Sequence, residues 1–272
     1  MHTYLFVLSP PYCGSTVLWR LLATSLAVST HPTEGLSLDE VKHIMWEGPK
    51  PWDPQKIIPW MEIKEQWEQA WDMSKPILLE KSPPNIVWAL DIEKVFQPAY
   101  FIAIIRDPYA FCEGRRRRHK NSEIRVSAEF WANCAGYQRR NIEGLKNITH
   151  FKYEDFADSP MDIRNQILSF LPELQDIDVT QSFKARSIQG RGEQKIRNFN
   201  QEKIDRLSVR DIRDINAVLE QHDQLMTFFG YKYLEPSAAQ SVRHLKSTVV
   251  ANTLAVTRRA KRLKARLSNR TP

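Results

Sequence analysis

The 272-residue sequence predicts an α/β fold in which a doubly wound, mainly parallel sheet is flanked by helices. Two observations carry that expectation. Short apolar runs rich in strand formers recur at 4–8, 76–80, 100–105 and 149–152, each too short to be a helix. Longer stretches with apolar residues at helical spacing lie between them, and strands alternating with helices are the pattern of parallel crossover units.

Taken in order, Tyr4-Leu5-Phe6-Val7-Leu8 reads as a buried strand that the prolines at 10 and 11 terminate. Gly14-Ser15-Thr16 then opens a helix whose apolar face is Val17, Leu18, Leu21 and Leu22. A strand, a loop of small residues and a helix start present free backbone N–H groups to a phosphate. The loop lacks the lysine of G-x-x-x-x-G-K-[ST], so it is not written as an ordinary ATP or GTP loop. Residues 29–35 are turn-rich and are expected to return the chain to the top of the sheet.

Residues 46–71 hold Trp46, Trp52, Trp60, Trp67 and Trp71, five of the eight tryptophans, among four prolines. This segment is expected to be an irregular aromatic insertion running into a helix near 62–71, and its indoles are candidates either for recognising a flat or sugar-like acceptor or for a cap packed on the domain's own core. The strand at 76–80 ends at Lys81-Ser82-Pro83, and helical spacing follows over 86–96. The strand at 100–105 ends at Arg106-Asp107-Pro108, followed by a basic helix from about 110 and another over roughly 127–145. A strand at 149–152 ends at Tyr153-Glu154-Asp155. Residues 189–195 form a glycine-containing basic loop, and 204–229 are helical with Gly230 as the cap.

The charge is unevenly placed. Of the 39 Lys and Arg, nine lie in 241–272, which holds no Asp or Glu, leaving 30 basic against 32 acidic side chains in the rest. The net charge of +7 therefore belongs to the tail, and a nucleic-acid-binding core is not expected. Val242, Leu245, Val249, Val256, Ala260, Leu263 and Leu267 recur at helical spacings between those cations, the pattern of a basic amphipathic helix. Such a tail suits an anionic membrane surface, a second copy of the chain, or docking onto the domain. Two units are expected: a domain over 1–235 and a tail over 236–272. The three cysteines have no metal-ligand spacing and suggest a reducing compartment. No signal-peptide pattern precedes the first strand, and no apolar run approaches the roughly 20 residues of a membrane span. The expected location is cytoplasmic, with the tail allowing peripheral membrane contact.

Three strands thus end in polar or charged clusters, and ligands of open α/β sheets bind beyond such carboxyl ends. Together the clusters resemble the PAPS-dependent sulfotransferases, a P-loop-like family, over about 4–231. The K-[ST]-P at Lys81-Ser82-Pro83 is similar to the tyrosylprotein-type and related bacterial branches. The resemblance implies that Pro11, Tyr12, Cys13, Gly14, Ser15 and Thr16 contact the 5′-phosphosulfate of 3′-phosphoadenosine-5′-phosphosulfate (PAPS). Tyr12 stands where the family has a basic residue and Cys13 where it has Ser, so another cation must offset the donor's charge. It also implies that Arg106 contacts the 3′-phosphate, and that Gly114 falls where the family has a serine, leaving that contact missing or replaced, with Arg115–Arg118 as candidates. Loop 190–195 matches the third nucleotide loop loosely through Gly190, Arg191, Gly192 and Lys195. Pro83 cannot act as a base, so the resemblance points to Glu34 as general base, with His31 in reserve, and to Lys81 as stabiliser of the leaving phosphate.

The activity implied is transfer of a sulfuryl group from PAPS to a hydroxyl of a small molecule, carbohydrate, phenol or peptide, releasing PAP without a metal. Two alternatives stay open on the residues alone. One is a P-loop-like phosphotransferase or nucleotide-binding enzyme; the other is a non-enzymatic module whose basic tail binds membrane or nucleic acid.

Overall fold

The computed structural model describes residues 2–119, 123–183, 195–250 and 253. Five strands, β1 (Thr3–Leu8), β2 (Val28–Thr30), β3 (Ile77–Glu80), β4 (Ala99–Ile105) and β5 (Ile148–Lys152), form one sheet in the order β2-β3-β1-β4-β5. Every pairing among them is parallel. Phe6 pairs with Glu80 and Leu8 with Ala103, so β1, β3 and β4 release their carboxyl ends along one edge.

Side chains alternate across the pleat, which divides the core into two layers. Tyr4, Phe6, Leu8, Leu78 and Phe101 face helices α2 (Asp39–Trp46), α3 (Trp60–Ala70) and α4 (Asn85–Val95). Leu5, Val7, Leu79, Ile102 and Ile104 face α1 (Ser15–Leu22), α7 (Tyr153–Asp158) and α8 (Pro160–Phe170). A third cluster joins α5 (Pro108–Arg118), α6 (Ile124–Gly144), α10 (Val209–Leu219) and α11 (Asp223–Phe229), with α9 (Asn200–Ile204) packed beside α5. The predicted α/β class is observed.

Three local expectations need correction. The turn-rich stretch at 29–35 begins inside β2, a three-residue edge strand too short to show a period. The segment 204–229 is not one helix: Ser208 caps α10 through its Oγ and Asp211, and a 3-10 turn at Glu220–His222 separates α10 from α11. The tryptophan-rich stretch is largely core. Its helix begins at Trp60, and Trp60, Trp67 and Trp71 are buried among Phe6, Phe96 and Trp88. Of the five indoles, only Trp46 is exposed, while Trp52 lies half-buried against Phe130.

Gly230 caps α11 with φ 67°, the left-handed conformation that glycine adopts without penalty. The chain is helical again over 238–250. That helix docks through polar contacts: the Gln240 amide donates to the carbonyls of Ile204 and Leu207, and Ser247 Oγ donates to that of Asp205. Val242, Leu245 and Val249 point away from the domain and are exposed. The remaining tail positions of the apolar pattern, from Val256 on, lie outside the described residues. Among those described, no helix is long and apolar enough to cross a membrane.

Candidate active site

The loop after β1 carries two backbone conformations of positive φ, Tyr12 at 70° and Gly14 at 87°. An aromatic residue rarely adopts that region, so the surrounding structure holds Tyr12 there. At Gly14 a side chain is excluded outright, because a Cβ would lie 2.7 Å from the Tyr153 ring. Gly14 is the N-cap of α1 and offers no side-chain acceptor, so the first turn has no side-chain cap. Pro11 and Thr16 are half-buried, whereas Ser15 and Cys13 are buried. Burial pushes the Cys13 thiol up to about 12, which leaves it protonated and inert.

Three consecutive residues at the end of β3 grip the segment after β2. The Gly35 N–H donates to Glu80 Oε2 at 3.0 Å, Lys81 Nζ lies 2.5 Å from Glu34 Oε1, and the Leu36 N–H donates to Ser82 Oγ at 3.1 Å. Trp67 Nε1 adds a hydrogen bond to the Gly35 carbonyl. A Cβ at Gly35 would sit 2.7 Å from Glu80 Oε2 and 2.8 Å from Trp67, so glycine permits the close approach. Lys81 is 5 % exposed and lies over the Trp19 ring, whereas Glu34 is 41 % exposed. The pair thus has a buried cation and a carboxylate that solvent, or an acceptor, can reach.

His31 cannot share that access. It is 1 % exposed, stacks on Trp71 at 4.5 Å, and neither ring nitrogen has a hydrogen-bond partner. Burial pushes it down to about 4, so it is neutral at pH 7. Its neighbour in the clamp, Glu80, is pushed up to about 7 by burial, against opposing hydrogen bonds from Ser82 and Gly35.

The end of β4 is fixed by its own sequence. Pro108 starts α5, and Asp107 caps it by accepting from the Ala110 N–H at 2.8 Å. Arg106 is thereby held at the strand end. Its Nε donates to Asn200 Oδ1 at 2.7 Å, its Nη1 to the Tyr12 carbonyl at 3.0 Å, and its guanidinium stacks 3.8 Å from the Tyr153 ring centre. The Nη2 has no acceptor, although Arg106 is 4 % exposed. Glu154 completes the frame by accepting from Asp107 N–H, Asn200 Nδ2 and Tyr231 OH.

Of the residues expected to form the site, the fold therefore brings the 11–16 loop, Glu34, Lys81 and Arg106 to one edge of the sheet. Gly114 lies in the buried second turn of α5, and a Cβ there would be 2.8 Å from Lys203 Nζ and 3.6 Å from Tyr12 Cβ. Lys195 is exposed, and Arg191 lies outside the described residues. Three of the four arginines of α5 have partners outside the strand ends: Arg115 donates to Ser127 Oγ and lies over the Phe130 ring, Arg116 pairs with Asp211, and Arg117 with Glu113. Arg115 and Arg118 stand near Tyr12, whose hydroxyl meets His119 Nε2 at 3.0 Å. Sequence reasoning missed Tyr153, Asn200 and Lys203. Only the glycine at 114 hinted that something from elsewhere fills that space.

Residues 58–176 match the model described as the Sulfotransferase family. That segment contains Lys81-Ser82-Pro83 and Arg106-Asp107-Pro108 but not the 9–16 loop. The chain shares its fold with three solved structures. The sulfotransferase domain of the Synechococcus PCC 7002 olefin synthase is 18% identical over 85% of this chain and 95% of that one, with a TM-score of 0.53. A sulfotransferase from Alicyclobacillus acidocaldarius is 13% identical over 85% and 97%, TM-score 0.55. Sulfotransferase STF9 from Mycobacterium avium is 15% identical over 85% and 78%, TM-score 0.51. No curated protein matches the chain. The expected resemblance thus agrees with the family model over 58–176, and the solved structures agree with the expected fold.

Proposed function

We propose that the protein is a PAPS-dependent sulfotransferase in which Glu34 is the general base and Lys81 assists the leaving phosphate. The observation that carries this reading is the Glu34–Lys81 pair at the carboxyl edge of the sheet, with the carboxylate exposed and the ammonium buried. Sulfuryl transfer, like phosphoryl transfer, is mainly positioning and charge neutralisation with entering and leaving oxygens in line. A carboxylate within reach of an acceptor hydroxyl can take its proton as the new S–O bond forms. As the bond from sulfur to the phosphate oxygen breaks, the electron pair stays on that oxygen, and a nearby ammonium stabilises it. Lys81 has three donors, so pairing with Glu34 leaves two for that oxygen.

The residues present suit the donor. A buried arginine with an unused Nη2 matches a phosphate group, whose oxygens accept a planar guanidinium in a bidentate way. The first-turn N–H groups of α1 suit a second anionic group. The acceptor is taken to be a hydroxyl-bearing small molecule, carbohydrate or peptide.

Isothermal calorimetry with adenosine 3′,5′-bisphosphate (PAP) and with ATP plus magnesium tests the reading. Micromolar or tighter PAP binding without magnesium, and ATP binding at least tenfold weaker, is expected. Preference for magnesium-ATP would replace it with a phosphotransferase.

A further inference from the structure

Two buried cations lie beside the 12–14 loop, and among the described residues neither forms an ion pair within 4.0 Å. Arg106 is 4 % exposed with an orphaned Nη2, and Lys203 is 5 % exposed. Among the described residues Lys203 Nζ has no hydrogen-bond acceptor and no ion pair within 4.0 Å. Glu113, whose charge acts on Lys203, pairs through its Oε1 with Arg117 at 3.2 Å and Arg206 at 3.3 Å, and its buried Oε2 has no hydrogen-bond partner. Glu154 is occupied by three donors from Asp107, Asn200 and Tyr231. Burial, and secondarily Arg106, pushes the Lys203 ammonium well below its ordinary range.

Leaving buried charges uncompensated costs several kcal/mol, so such a pair persists where something else repays it. A phosphate monoester has the complementary charge, near −2, and three acceptor oxygens for a guanidinium and an ammonium together. Lys203 reaches this place because residue 114 is glycine: any Cβ would lie 2.8 Å from its Nζ. The resemblance expects a serine hydroxyl at 114.

We propose that Lys203, lying over Gly114, is the second cation of the site that takes the donor's 3′-phosphate, in place of that serine. The inference rests on the reading of the donor as PAPS. Lys203 arrives from α9, the element that also brings Asn200 to Arg106, so one short helix supplies both the new charge and the group that orients the old one. Gly114 and Lys203 then form one specificity device, distributed over two helices 89 positions apart in the chain.

The test compares PAP with AMP, which lacks the 3′-phosphate, by calorimetry and by melting temperature on the full chain. Lys203→Met should weaken PAP at least 30-fold and AMP less than threefold. The same variant should melt higher than wild type without nucleotide, since an uncompensated buried charge is gone, yet gain less on adding PAP. Gly114→Ser alone should weaken PAP by displacing the ammonium; placed on Lys203→Met it should recover at least threefold. Lys203→Gln serves as the second variant if the methionine form fails to fold. PAP affinity within threefold of wild type in either Lys203 variant would overturn the inference while leaving the sulfotransferase reading intact. An equal loss of PAP and AMP would also overturn it. Wild-type protein that ignores PAP would remove both.

Discussion

The ends of β3 and β4 hold buried cations in opposite states. At β3, Lys81 is matched by Glu34 at 2.5 Å, and the flanking Glu80 and Ser82 bind the same segment through its backbone. At β4, Arg106 and Lys203 lie together with an unused Nη2 and, among the described residues, no ion pair within 4.0 Å. The first arrangement is complete as folded and, on the proposed reading, moves a proton. The second is incomplete as folded and, on the proposed reading, receives a phosphate. A matched ion pair fixes geometry, whereas an unmatched one stores binding energy for an anion. Proximity on one sheet edge joins the two.

Breaking the complete end should have the largest effect. Glu34→Gln removes the proposed base while keeping the shape, and sulfuryl transfer from PAPS to a responsive hydroxyl acceptor should fall by about 10²–10⁴ in kcat. PAP binding measured by calorimetry should stay within threefold, because Arg106 and the α1 start are untouched. A variant retaining full kcat would remove Glu34 from the chemistry.

The next effect concerns the two buried groups that support the clamp. Glu80 titrates near 7 instead of 4.5, so the folded state binds the proton more tightly than the unfolded one. Its contribution is greatest below pH 4.5 and is lost as pH rises to about 7. His31 titrates near 4 instead of 6.5, so its contribution is greatest above pH 6.5 and is lost as pH falls to about 4. Each shift corresponds to about 3 kcal/mol, and over the shared window the two slopes oppose one another. His31→Phe should therefore make stability fall with rising pH, and Glu80→Gln should make it fall with decreasing pH. Urea unfolding at half-unit pH steps reads this directly; parallel profiles in the two variants would contradict it.

A smaller effect tests the close approach at the clamp. Gly35→Ala places a methyl against Glu80 Oε2 and Trp67, both held in the core, and should cost about 1–3 kcal/mol. Urea unfolding is the measurement. Activity should fall in parallel if the displaced segment carries Glu34 with it, whereas destabilised protein with unchanged kcat would uncouple the clamp from the base.

The central strands β1, β3 and β4 were legible because they are buried on both faces, which leaves continuous apolar runs such as Tyr100-Phe101-Ile102-Ala103-Ile104-Ile105. The start of α5 was legible at Asp107-Pro108, where Pro108 opens the helix and Asp107 accepts from the Ala110 N–H three positions on. The tryptophans illustrate the limit. Clustered in sequence, Trp60, Trp67 and Trp71 suggested an acceptor surface, yet α3 lays them on the sheet as core against Phe6 and Phe96. An indole's composition does not say which way it faces.

By itself the sequence determined the α/β class and the three strand-end clusters, because these depend on local spacing and on hydrophobic runs. Tertiary structure alone decided that Lys81 closes on Glu34, that His31 is sealed beneath Trp71, and that Lys203 stands over Gly114 beside Arg106. Those are relations between residues 40 to 97 positions apart. Their energies come from desolvation and from angstrom-scale approach, neither of which exists until the chain has folded.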